Sequence, residues 1–112
     1  MAGTLTFPPV TDQLLNEVVR RILTAGAPLK IVLFGSHAKG TAHLDSDLDL
    51  LIIEESDLPR YQRAGRYRRA LCGVFPAKDI VVWTPHEVEE WKTVPNAFIS
   101  TVVAEGRLLY ER

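Results

Sequence analysis

The run from Lys30 to Ile53 confines the fold more than any other part of the chain. It reads KIVLF, then Gly35-Ser36, ten further residues, then Asp47-Leu48-Asp49 leading into a second apolar run that ends at Ile53. Two short apolar runs separated by a glycine-bearing polar segment predict strand, turn, strand. Successive side chains on a strand point to opposite faces, so Asp47 and Asp49 share a face with Cα atoms roughly 6.5 Å apart. Leu48, Leu50 and Ile52 then face a core. The string DSDLDL also permits a register pairing Asp45 with Asp47, but the spacing from Gly35-Ser36 favours Asp47 and Asp49 and leaves Asp45 in the turn.

Two carboxylates on one face repel each other unless a cation lies between them. Hard divalent ions such as Mg2+ take oxygen ligands and keep positions open for water and phosphate oxygens, so this pair suits a metal-bound nucleotide better than a closed structural site. The preceding turn fits the same ligand. Gly35 lets backbone approach a phosphate, Ser36 adds a hydroxyl donor, and Lys39 adds a cation within reach of a triphosphate, although an exposed lysine needs no special explanation. A Walker A reading of Gly35 to Gly40 fails, because Thr41 and Ala42 stand where that motif needs Lys and Ser or Thr.

Taken together, Gly35-Ser36, the ten-residue spacer and Asp47-x-Asp49 resemble the pattern of minimal nucleotidyltransferases in the DNA-polymerase-β superfamily. That family carries a third acidic residue on a later strand, and Asp79, opening the apolar segment DIVVW, stands where it is required. The resemblance runs from Leu29 to the closing EGRLLYER. It implies a nucleotidyltransferase fold, ATP as donor, and Asp47, Asp49 and Asp79 as catalytic and metal-binding residues for two Mg2+ ions. Gly35, Ser36 and Lys39 are the implied nucleotide-binding set. Asp79 is a metal ligand, a general base toward the acceptor, or both, and the sequence leaves that choice open.

With 112 residues and a net charge of −1, the chain is expected to be one domain spanning residues 1–112, with no global basic footprint for nucleic acid. The single cysteine, Cys72, excludes an internal disulfide and reads as a small buried or half-buried apolar residue. No signal peptide and no span long enough for a bilayer are seen, so a cytoplasmic protein is expected. Nothing in the sequence suggests a zinc site.

The remaining pattern predicts a mixed α/β architecture, a small sheet with helices packed on it. Met1 to Pro9 reads as a loosely held arm. A first helix follows Thr11, stapled by Val10 and Leu15, its apolar stripe running through Leu14, Val18, Val19, Ile22 and Leu23 to Gly26. Strands are expected at about 29–34, 47–53 and 78–83, with a single helical turn between the first two. A second helix is expected from about Leu58 to Val74, burying Tyr61, Ala64, Tyr67 and Leu71. Its arginines at 60, 63, 66, 68 and 69 read as a solvated face, with an RNA or acidic-partner face as the alternative. Thr84-Pro85-His86-Glu87 is a helix start with a capping box, placing Val88 and Trp91 on the apolar side. Trp83 and Trp91 read as core or interface. A further helix carries Phe98, Ile99, Val102 and Val103 to Gly106, and 107–110 adds a final strand.

The resemblance also suggests an acceptor. Stand-alone minimal nucleotidyltransferases resemble antitoxins whose partner is a HEPN-domain ribonuclease toxin, and they add AMP to a tyrosine hydroxyl of that toxin. The lack of an appended substrate domain agrees with a partner that brings its own acceptor. A small-molecule hydroxyl is the second enzymatic reading, and non-catalytic masking of a partner is the third. RNA end-addition fits the charge balance poorly.

Overall fold

The computed structural model describes residues 10–40, 47–74 and 78–112. The expected arm at 1–9, together with Thr41, Ala42 and Asp45, lies outside the described residues.

Helix α1 (Asp12–Ala25) starts where the sequence places it: the Thr11 side chain accepts from the Leu14 N–H at 3.1 Å. Leu15, Val18 and Ile22 form its buried stripe, Val10 packs on the same core, and Leu23 turns outward. The chain then enters β1 (Lys30–Phe34), the single-turn helix α2 (Ser36–Lys39) and β2 (Leu48–Ile53). β1 and β2 are antiparallel, Phe34 opposite Asp49 and Val32 opposite Leu51. β3 (Lys78–Trp83) adds to β2 in parallel, and β4 (Arg107–Glu111) adds antiparallel to the other side of β1, giving the order β3-β2-β1-β4. Fold class is therefore as expected, a mixed sheet with helices on it.

β2 lies between two strands and is covered on both faces, which explains its almost unbroken apolar sequence after Asp49. One face sends Leu48, Leu50 and Ile52, with Ile31, Leu33, Ile80 and Val82, into the main core against α1 and Tyr67 and Leu71. The other sends Leu51 and Ile53, with Val32, Phe34, Val81 and Trp83, against Ile99, Val102 and Val88. Those last three belong to α5 (Pro85–Trp91) and α6 (Phe98–Glu105).

The long helix expected over 58–74 is instead two short ones, α3 (Arg60–Arg63) and α4 (Gly65–Ala70), broken at Ala64. The break resets the helical phase, so Arg63 turns inward and Tyr61, expected in the core, is 80% exposed. Arg63, expected on a solvated face, is only 8% exposed and fully engaged. Its Nε donates to the Leu58 carbonyl (2.9 Å), and one terminal nitrogen donates to the Val82 carbonyl (3.2 Å) and to Glu87 Oε1 (2.6 Å). Glu87 closes the capping box at the same time, accepting from the Thr84 N–H at 2.9 Å while its own N–H donates to the Thr84 hydroxyl at 3.2 Å. One carboxylate thus ties the α5 start to α3. Beneath it, buried Glu54 accepts from the Tyr67 hydroxyl and from Arg66. Trp91, at the end of α5, is 45% exposed and so lies outside the core. Cys72, expected buried or half-buried, lies exposed because α4 stops at Ala70 and the chain turns away.

Candidate active site

Sheet register brings the carboxylates together. Asp49 lies opposite Phe34 on one side and opposite Asp79 on the other. Neighbouring strands run about 4.8 Å apart, so Asp49 and Asp79 are adjacent rungs with side chains on one face. Asp47 precedes β2 and continues that face. Alternation puts all three on the side covered further along by α5 and α6, where Leu51 and Val81 occupy the next row. Asp47 and Asp79 are exposed, and Asp49 is partly buried between them.

Electrostatics mark Asp49 as the centre of the group. Burial pushes its carboxyl above the ordinary Asp value, the Asp79 and Asp47 charges push it further, and His37 opposes them. Burial and neighbouring like charges both favour the protonated form, and burial is the larger cause. Among the described residues, no group of three or more His, Cys, Asp or Glu is placed to hold a metal ion by itself. The donor set nonetheless fits a hard cation held openly, since Mg2+ characteristically uses one or two carboxylates and fills its shell with water and phosphate oxygens.

Gly35 stands directly against this group. Its φ of +75° lies in the left-handed region, and a Cβ built there would come within 2.2 Å of Asp49 Oδ2. Only glycine permits both the turn and that approach. Ser36 follows as the first residue of α2, and the helix ends at Gly40. Lys39 is turned away, its ammonium 3.0 Å from Glu105 Oε1 at the end of α6. Both groups are about half exposed, so the pair is held weakly and is cheap to open. Nothing in the local sequence signals it, because the two residues meet only after α6 has crossed the sheet.

A second feature went unread in the sequence. Phe98, the first residue of α6, places its ring edge-on to Phe34 at 5.2 Å and tilted against Trp83 at 6.0 Å. Arg60 lies over the Trp83 ring at 4.0 Å. Phe34 stands opposite Asp49 at the carboxylate end of the sheet and Trp83 opposite Ile53 at the other, so Phe98 bridges the two.

A glycine turn thus closes on one carboxylate, and a second carboxylate stands beside it in parallel register. The chain belongs to the nucleotidyltransferase domain family, whose sequence model matches residues 12–104. It is 36% identical over 84 residues to a Methanocaldococcus jannaschii protein provisionally named a protein adenylyltransferase, an overlap covering 72% of this chain and 77% of that one. Solved structures show the same fold at lower identity. A chain in the crystal structure of a toxin–antitoxin with AMP-PNP superposes with a TM-score of 0.66 at 20% identity, over 88% of this chain and 73% of that one. A chain in the complex of the tri-AMPylated Shewanella oneidensis HEPN toxin with its MNT antitoxin gives 0.54 at 19% identity, over 91% and 74%. No helix among the described residues is long and apolar enough to cross a membrane.

Proposed function

We propose that this chain transfers AMP from ATP to a tyrosine hydroxyl of a HEPN-class ribonuclease toxin, releasing pyrophosphate, and so acts as the antitoxin of the pair. The observation that carries the reading is the joint placement of Gly35, Asp49 and Asp79, with Asp47 beside them. Kinship supports a protein acceptor: the M. jannaschii relative is named for protein adenylylation, and one solved complex of like fold contains an AMPylated HEPN toxin. The chain is taken to work as a single domain in the cytoplasm, where ATP is available.

In this reading Asp47, Asp49 and Asp79 hold Mg2+, as two ions. Bound there, the metal would supply charge neutralisation on the triphosphate and would acidify the attacking hydroxyl. The chain's own residues do the positioning. Gly35 lets the phosphates come down beside Asp49, Ser36 offers its hydroxyl, and Lys39 adds a cation once it leaves Glu105. Asp79 is exposed on the edge strand β3, open to an incoming acceptor, and takes the hydroxyl proton. The oxygen then bonds to the α-phosphorus as the bond to the bridging oxygen of pyrophosphate breaks. Holding these groups in line accounts for most of the expected acceleration.

Co-expression with the partner toxin separates catalysis from masking. Folded Asp47→Asn is expected to keep the complex and lose neutralisation. Full neutralisation by that variant would instead favour a purely masking role.

A further inference from the structure

We infer that Phe98 is the platform on which the base of the donor nucleotide stacks, an inference that rests on a nucleoside triphosphate being the donor. Its ring is held from two sides, by Phe34 at an interplanar angle of 82° and by Trp83 at 37°, yet the residue remains 42% exposed. A large ring fixed in place but left open to water is an unfilled stacking surface. Its location supplies the occupant. Phe34 immediately precedes Gly35 and lies opposite Asp49, so the ring that touches Phe34 adjoins the turn against which the triphosphate is placed. Phe98 thus lies on the same face of the sheet as Asp49, one ring contact away from that turn.

The chemistry of the surface also bears on selectivity. Stacking engages the face of a base and leaves its hydrogen-bonding edge unread, and every base has such a face. A larger ring covers more of Phe98. The platform therefore favours purines over pyrimidines and treats adenine and guanine alike, so any preference for ATP over GTP must come from elsewhere in the site.

The test is calorimetric binding to the full chain of ATP, GTP, CTP and inorganic tripolyphosphate, each with Mg2+. It compares the unaltered protein with Phe98→Leu, which keeps an apolar side chain for α6 packing but has no ring, and with Phe98→Tyr, which keeps the ring. Circular dichroism and thermal melting confirm that each variant is folded. Phe98→Leu is expected to weaken ATP and GTP by about 5- to 160-fold, the range of a lost base–aromatic stack, and to leave tripolyphosphate unchanged. Phe98→Tyr is expected to restore ATP binding, and CTP to bind the unaltered chain more weakly than ATP. Unchanged ATP affinity in Phe98→Leu overturns the inference, as does an equal loss for ATP and tripolyphosphate, which would mark a packing role. If the unaltered chain binds ATP but without dependence on Phe98, only the platform falls. If it binds neither ATP nor tripolyphosphate, the donor assignment falls with it.

Discussion

Asp49 Oδ2 occupies the space that a side chain on residue 35 would need: a Cβ on Gly35 would stand 2.2 Å from it. The turn and the central carboxylate are thus one fitted unit. Gly35→Ala must move the Asp49 carboxylate and also force an L-residue to a φ of +75°. With ψ at −154°, the backbone cost is about 1–3 kcal/mol, tolerable for a folded domain. Transfer activity is expected to fall by ~100-fold or more in a variant that still melts cooperatively, because the displaced carboxylate is the electrostatic centre of the site. Activity within a few fold of normal would show that the approach is incidental.

Asp79 sits beside Asp49 in the ladder but is exposed. Asp79→Asn keeps the shape and removes the charge, so it is expected to reduce transfer by at least ~100-fold with little change in melting temperature. Single-turnover rates and thermal melting on the same preparation check both halves.

Without metal, the charge on Asp49 opposes folding. Its carboxyl is raised by burial and by Asp79 and Asp47, so the folded state holds that proton more tightly than the unfolded chain does. The group's stabilising contribution is therefore complete below the ordinary Asp value of 3.8 and disappears as pH rises through the raised one. In chelator at neutral pH, Asp49→Asn should melt higher than the unaltered protein. The gain should shrink when Mg2+ is added, because the cation relieves the same repulsion. A lower melting temperature in chelator would contradict this account.

Glu87 behaves in the opposite sense. The Arg63 hydrogen bonds, then the Thr84 N–H and Arg60, hold its carboxyl at about 2 despite partial burial. Its contribution is present above the unfolded value near 4.5 and is lost as pH falls toward 2. Glu87→Gln leaves the buried Arg63 without its counter-charge, and a loss of about 3 kcal/mol in urea unfolding at pH 7 is expected. That difference should narrow steadily in titrations below pH 4.5.

Local signals in the sequence were sufficient for much of this structure. The Thr84-Pro85-Glu87 capping box, the Thr11 cap and the alternation through Asp47-Leu48-Asp49 each depend on residues within a few positions of one another. The partnership of Asp79 with Asp49 does not. It is a parallel pairing across a crossover, and only the resemblance to a family pattern pointed to it. Other features depend on distant contacts and left no local trace. Arg63 reads as one more surface arginine until Glu87 and the Val82 carbonyl arrive, and the break at Ala64 that turns it inward also sends Tyr61 outward. Gly65, the first residue after the break, disfavours one continuous helix there. Phe98 was read only as part of an apolar stripe, since its meeting with Phe34 and Trp83 requires α6 to fold back on the sheet.

The central claim is that this site moves AMP onto a protein. Alpha-phosphate-labelled ATP and Mg2+ are incubated in native-host lysate with the unaltered chain or with folded Asp47→Asn. A labelled protein band, released as AMP-tyrosine on digestion and at least ~100-fold weaker with the variant, is the predicted result. Equal labelling with both chains, or none with either while the unaltered chain binds ATP, would contradict it.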